Sequence, residues 1–363
     1  MKNGWKTKTL GDVLEIQNGY AFDSKAFNSS KGMPLIRIRS LKAGVETETR
    51  FSGDYDKKYV VKAGDLLIGM DGEFGCYEWK GTTALLNQRV CRLQGFASDI
   101  APRFLFYGVN SYLKAIEDVT GYATVKHLSS KQILGIRFPL PPLPVQHRIV
   151  GILDEASEGI ATAKANAEKN LQNARALFES HLQSVFAQRD PEWLRTTVGD
   201  QLTLQRGFDI TRNQQSTGHV PVVSSGGIKS FHDKSMVAGP GVVIGRKGTL
   251  GKVFYLESDF WPHDTTLWVK DFKTNNPRFV YYFFVGLDVK KLDSGTANPA
   301  LNRNQVHPIK VDWPPVSQQR AIATKLDDLR EETHRLKSIY QQKLVALDAL
   351  KKSLLHQAFT GKL

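Results

Sequence analysis

The chain is poor in cysteine, with only Cys76 and Cys91 among 363 residues. Two thiols are too few for a disulfide framework or for a zinc site of usual spacing, so ordinary buried thiols in a reducing compartment are expected. Long apolar runs are missing too. FVYYFFVGL, from Phe279, is the longest and is too short to span a bilayer. The opening MKNGWKTKTL has no apolar centre, so no secretory leader is expected and a cytoplasmic location is.

Catalytic signatures are just as scarce. There is no GxxxxGK(S/T) element, which argues against an ATP-driven motor. GRKGTLGK, from Gly245, has the glycines without the ending and reads as a turn between strands. DGEFG, from Asp71, brings two carboxylates together but lacks the lysine a metal-dependent nuclease would add, and reads as a turn. Two Pro-Pro pairs follow Leu140 and Trp313 and precede Leu143 and Val316, so the asparagine and aromatic ring of an adenine-methyltransferase loop are both missing. His127 and His263 read as packing or hydrogen-bonding residues rather than metal ligands. No catalytic residue, metal or cofactor is expected on this chain.

Positive charge is abundant: 49 Lys and Arg against 36 Asp and Glu, a formal charge of +13. That surplus points to a polyanion, most often nucleic acid, with a merely soluble basic protein as the bland alternative. The hydrophobic fraction of 41% is ordinary for a globular protein, and the length calls for two or more cores.

The chain also repeats itself. PPLPVQHRIVGILDE begins at Pro141, and PPVSQQRAIATKLDD begins 173 positions later at Pro314. A second echo has a different offset, 188: Trp5, Gly11, Asp12, Leu14, Gln17 and Gly19 recur as Trp193, Gly199, Asp200, Leu202, Gln205 and Gly207. Such a period is too long for a solenoid and reads as an internal duplication. Its boundaries are a globular unit over 1–143, a long helix over 144–188, a second unit over 189–316, and a second helix with a tail over 317–363. Both units should be α+β, with short β-rich runs followed by a helix in matching order. In the first, Arg37 and Arg39 alternate with Ile36 and Ile38, which predicts both on one face of a strand.

Each long segment follows Pro-Pro, which cannot continue a helix backward, and carries an apolar stripe at 3–4 spacing. Leu153, Ile160, Ala167 and Ala174 mark the first seam; Leu326, Leu336, Leu344 and Leu347 mark the second. About 40 residues make a rod of roughly 60 Å. A single apolar stripe must be buried. Two arrangements satisfy this: an antiparallel pair with one globular unit at each end, or two helices packed separately on their own units. In a paired arrangement Asn170 and His181, on the first stripe, would fix register.

With both echoes in view, the whole chain resembles the specificity subunits of type I restriction-modification systems. The repeated Pro-Pro-x-x-x-Gln at Pro141 and Pro314 carries the resemblance. So do TGYATVKHLSSKQILGIRFPLPPL, leading into the first, and the ending SLLHQAFTGKL. The second copy departs slightly, with Gln319-Arg320-Ala321 against Gln146-His147-Arg148. The resemblance implies two similar target recognition domains of mixed α/β fold, separated by two long antiparallel helices in a pseudo-two-fold coiled coil. It implies that each domain reads one half of a split double-stranded DNA target, which should be asymmetric because the domains differ. It further implies that the helices dock two adenine methyltransferase subunits, that a restriction and translocase subunit can join, and that S-adenosylmethionine, ATP and magnesium belong to those partners. No membrane partner is implied.

Base reading needs donors and acceptors on turns or exposed strand ends, whereas charge alone supports phosphate contact. On the first unit the candidates are Asn18, Tyr20, Lys25, Arg37, Arg39, Asn87, Gln88, Arg89, Tyr122, Thr124 and Lys126. On the second they are Arg206, Arg212, Ser224, Lys229, Arg246, Lys247, Asn298, Asn302 and Arg303. Arg37 and Arg39 equally fit a solvated strand face, and Asn87 and Asn298 equally fit turn caps. Against a noncatalytic DNA reader stand a protein-interaction scaffold with an incidental basic surface and a self-contained nuclease or methylase.

Overall fold

Four short strands form an antiparallel sheet in the first half of the chain, in the order Glu15–Asn18, Val90–Gln94, Leu66–Gly69, Gly75–Glu78. The second half repeats that order with Thr203–Arg206, Thr266–Asp271, Gly241–Gly245 and Val253–Leu256. These come from a computed structural model that describes residues 4–43, 47–120, 126–187, 190–287 and 300–363. The chain divides into two compact units, residues 1–165 with 344–363, and residues 166–343.

The central strands show why the sequence folds this way. Leu66–Gly69 and Gly241–Gly245 are buried throughout. Leu66 and Ile68 enter one apolar cluster while Leu67 enters another. Val242 and Ile244 likewise part company with Val243. Side chains alternate across a strand, so a continuous apolar run fits a sheet covered on both faces. One face carries a helix, Pro102–Val119 in the first unit and Pro277–Gly286 in the second, each with proline in its first turn. The other face carries the part in which the units differ. The first unit has a five-stranded sheet running from Phe27–Asn28 to Val60–Val61, and the second has three strands, Gly227–His232, Val220–Ser224 and Trp261–Pro262.

In each unit a two-stranded antiparallel ribbon joins the entry of the domain to its exit. Lys6–Thr9 pairs with Arg137–Leu140, and Leu194–Thr197 pairs with Lys310–Trp313. The long helices follow directly, at Leu143–Ala187 and Val316–Phe359, with 45 and 44 residues. Each passes from one unit into the other. Within the first unit, Ile149 and Leu153 share a core with Ala358, and Leu354, Leu355 and Phe359 pack against it. Arg148 donates to the Leu363 carbonyl at 2.9 Å, and Lys164 pairs with Asp348, so these two helix segments run antiparallel. Within the second unit, Leu182 shares a core with Ala323 and Leu326.

Two expectations are corrected. The strand Met33–Ile36 stops short of both arginines, and Ile38–Ala43 is a helix. The Arg37 N–H donates to Ser40 Oγ and the Ser40 N–H returns to the Arg37 carbonyl, closing a turn where alternation suggested a strand. Burial of Ile36 and Leu41 in one cluster rewards that turn. Asn170 and His181 are exposed rather than on a seam. From Leu153 onward the buried positions of the first long helix are Leu153, Ile160, Ala167, Ala174 and then Leu182, the last step being one residue longer. A helix of 3.6 residues per turn drifts against a strict heptad, and the larger apolar Leu182 takes the place assigned to His181. Leu326 is buried, and Leu336, Leu344 and Leu347 are half-buried.

Candidate nucleic-acid interface

The loops at one end of each four-stranded sheet are locked by the same hydrogen bonds in both units. Gly19 N donates to the Val90 carbonyl, and Gly207 N to the Thr266 carbonyl. Tyr20 N donates to Leu86 O, and Phe208 N to Pro262 O. Met70 N donates to Arg89 O as Arg246 N does to Thr265 O, and Leu128 N to Met70 O as Leu301 N does to Arg246 O. The glycines are needed because the chains nearly touch. A Cβ on Gly19 would lie 2.0 Å from the Asn87 carbonyl oxygen, and one on Gly207 would lie 2.1 Å from that of His263. Next along the frame, Ser129 and Asn302 each close a capping box, with Gln132 and Gln305, over the helices Ser130–Leu134 and Arg303–Val306.

This frame sets residues of different chemistry at matching places. Asn18 of the first unit corresponds to Arg206, Asp71 to Lys247, Gln88 to Asp264, and Arg89 to Thr265.

In the first unit Asn18, Gln88, Arg89, His127 and Ser130 line one groove. Ser130 Oγ donates to Asn18 Oδ1 at 2.7 Å. His127 Nδ1 lies 2.6 Å from Asp71 Oδ1, and Arg89 Nε lies 3.4 Å from Asp71 Oδ2. Tyr20 is half exposed beside Phe22 and Tyr59. Lys25, Arg37 and Arg39 are exposed elsewhere on the unit. Lys126 donates to the Glu117 carbonyl at 2.7 Å, near the C-terminal end of Pro102–Val119, where a cation is favoured. Asn87 is 6% exposed and its Oδ1 has no hydrogen-bond partner, so this amide is largely covered, on a loop whose backbone lies close against Gly19. Tyr122 and Thr124 lie outside the described residues.

In the second unit Arg206 Nη2 pairs with Asp264 Oδ2 at 2.8 Å, and Arg246 Nη1 donates to the Asp264 carbonyl at 3.3 Å. His263 Nδ1 lies 2.9 Å from Asp264 Oδ1 and 3.1 Å from Thr265 Oγ1. Lys247 is exposed in the turn between Gly241–Gly245 and Val253–Leu256, as the reading of GRKGTLGK requires. Asn302 Oδ1 accepts from Asn304 N at 3.1 Å and Arg303 is exposed. Ser224 turns inward to the Gly227 carbonyl, while Lys229 and Arg212 are exposed. Ligand atoms of Asp209, His263 and Asp264 lie within 4.8 Å of one another, but the Asp264 carboxylate already pairs with Arg206. Asn298 lies outside the described residues.

Residues whose role the sequence did not disclose tie each domain to a long helix. Gln146 and Gln319, each 0% exposed, bridge the helix entry to the neighbouring loop. Gln146 Oε1 accepts from Ala101 N, and its Nε2 donates to the Asp99 and Pro141 carbonyls, all at 2.8 Å. Gln319 accepts from Asn276 N and donates to Asn275 Oδ1 and the Pro314 carbonyl. Arg103 and Tyr107 converge on Asp154, as Arg278 and Tyr282 do on Asp327. The Arg103 hydrogen bond holds the Asp154 carboxyl below its usual range. Burial works against the charge of Asp327, yet Arg278 and Tyr282 keep its carboxyl low as well. The recurring Pro-Arg-Phe at Pro102 and Pro277 was the available signal.

Residues 2–172 and 192–344 each match the model of the type I restriction modification DNA specificity domain. The EcoBI type I restriction enzyme specificity subunit of Escherichia coli is 25% identical over 412 aligned positions, covering 99% of this chain and 86% of the relative. The putative MjaX specificity subunit of Methanocaldococcus jannaschii is 21% identical, covering 99% and 93%. Among solved structures, the HsdS subunit of Thermoanaerobacter tengcongensis superposes with a TM-score of 0.63 at 17% identity, covering 100% and 98%. A chain from work on complex assembly and conformational transition of a type I R-M system reaches 0.76 at 17%, covering 100% and 99%.

Proposed function

This chain belongs to the type I restriction modification DNA specificity family, and we propose that it reads a two-part, asymmetric DNA target, one half with each unit. The observation that carries this reading is the frame described above. The same hydrogen bonds recur in both units, while Asn18, Asp71, Gln88 and Arg89 face Arg206, Lys247, Asp264 and Thr265 at matching places. One scaffold with two sets of surface chemistry has two specificities.

Within this reading Tyr20, Asn18, Gln88, Arg89, Arg206, Arg246 and Asn302 supply base-edge and groove contacts. Lys25, Arg37, Arg39, Arg212, Lys229, Lys247 and Arg303 supply phosphate contacts that position the duplex without reading it. The two long helices act as a stiff spacer that fixes the separation of the half-sites, since the stiffness of a linker sets its reach. Joining two readers makes the second encounter intramolecular and raises affinity without new contacts. The helices dock two adenine methyltransferase subunits, and a restriction and translocase subunit joins that assembly. Chemistry on the base, with S-adenosylmethionine, ATP and magnesium, belongs to those partners, and the target adenine leaves the stack in the methyltransferase.

Genome-wide methylation mapping tests the proposal, in cells expressing the methyltransferase with and without this chain. A split motif with dissimilar halves, methylated only when the chain is present, is the expected result. A strictly palindromic motif, or methylation indifferent to the chain, would overturn it.

A further inference from the structure

We infer that each unit reads one guanine through an arginine aimed by a partly covered aspartate: Arg89 by Asp71 in the first unit, and Arg206 by Asp264 in the second. The inference rests on the reading of the chain as a DNA specificity subunit, and it deepens that reading at two named positions.

The two pairs share an arrangement. The Arg89 side chain is 55% exposed over an Asp71 side chain that is 22% exposed. The Arg206 side chain is 58% exposed over an Asp264 side chain that is 23% exposed. A histidine nitrogen lies close to the other oxygen of each carboxylate, hydrogen-bonded to it in the first unit, while in the second His263 also bonds Thr265. His127 Nδ1 lies 2.6 Å from Asp71, and His263 Nδ1 lies 2.9 Å from Asp264. Arg89 also has a φ of 70°, a left-handed backbone that long side chains rarely adopt. Main-chain bonds from Met70 to Arg89 and from Leu128 to Met70 hold that conformation in place. Strain of this kind, kept by its surroundings, is common where a side chain must point in one direction.

Descent from a duplicated ancestor does not account for the likeness. The frame matches Arg89 with Thr265 and Asp71 with Lys247, and it matches Arg206 with Asn18 and Asp264 with Gln88. The two pairs therefore occupy different positions of the frame, with Arg89 and Asp264 one position apart on the matching loop, and reach a similar arrangement separately.

The carboxylates are the informative members. A surface that only gathers phosphates gains nothing from an aspartate, which repels them. An aspartate beside an arginine engages one side of the guanidinium and removes rotamer freedom before DNA arrives. Asp71 lies at Nε of Arg89, whose Nη1 is 3.4 Å from His127 Nδ1, and Asp264 engages one terminal nitrogen of Arg206; both guanidinium side chains stay more than half exposed and keep terminal N–H donors beyond these contacts. Two such donors held in a plane match O6 and N7 of guanine in the major groove. Asp71 and Asp264 are positioning residues, and Arg89 and Arg206 make the contact.

Full-length variants co-expressed with the methyltransferase, with their methylated motifs mapped genome-wide, test this. Arg89→Asn keeps a residue type that tolerates the left-handed backbone and removes the guanidinium. It should abolish the requirement for one guanine in one half-site, lowering discrimination at that base pair about tenfold or more. Asp71→Asn should relax the same base pair to a smaller degree, and Asp71→Glu should restore part of it. Arg206→Gln and Asp264→Asn should do the same in the other half. The inference is overturned if all these variants lower methylation while leaving the motif intact, as loss of structure alone would do. A wild-type motif lacking guanine in either half also overturns it while leaving the specificity reading in place. Absence of any chain-dependent motif sinks the specificity reading itself, and this inference with it.

Discussion

His307 accepts the Leu204 N–H at Nε2, 3.0 Å away, and does so only as the neutral imidazole. Burial, then the charges of Arg303 and Lys273, pushes its pKa below the ordinary value. The unfolded chain therefore binds this proton more readily than the folded one. The stability contributed is fully present above the unfolded value, about 6.5, and is lost as pH falls through the folded value. The melting temperature should drop from pH 7 to pH 5, and His307→Gln should flatten that drop; equal pH profiles for both proteins would count against this role. At this scale the sequence was a poor guide. Arg89 was recognisable as a candidate, but Asp71 read as an ordinary turn residue. Its partners, Arg89 and His127, lie on separate loops that only the folded frame brings together. The burial of Asn87 was no more legible, because the loop that carries it packs its backbone against Gly19, far away in sequence.

The elements were far more legible, since periodicity and the echoes are properties of the chain itself. Pro102–Val119 supplies the helix expected after the β-rich runs of the first unit, and both long helices follow the Pro-Pro pairs as expected. Arg37 and Arg39 were misplaced because two alternations are too few to tell a strand from a turn into a short helix. The repeated Gln146 and Gln319 were visible as a motif, but their role was not: each satisfies the backbone where strand, helix and loop meet. Gln146→Leu leaves the buried Ala101 N–H without its acceptor and removes the donor to two carbonyls. A loss of about 3 kcal/mol is expected, since each orphaned buried group costs roughly 1–3 kcal/mol. Urea unfolding should show a lower midpoint at unchanged slope, and a midpoint within error of the parent would refute this account.

For the whole molecule, the two-unit plan and the net charge of +13 were on the page from the start. What each unit reads was not, because base identity turns on side-chain placement that composition does not encode. The proposed spacer role makes a separable prediction. Removing two whole turns from both long helices should shorten the gap in the methylated motif and leave the two half-sites as they were. Altered half-sites with an unchanged gap would reject that division of labour. DNA binding should also weaken steeply with salt, with a log–log slope of about −0.9 for each phosphate neutralised.

The first unit is finished by residues 344–363, including Phe359, whose ring occupies the space that a side chain on Gly108 would need. During synthesis that piece leaves the ribosome only after the entire second unit. Until then the earlier unit must wait with part of its apolar interior uncovered, and a premature stop in the later unit deprives both of a wall. Translation order thus couples the two readers, and a nascent chain completes its first lobe after beginning its second.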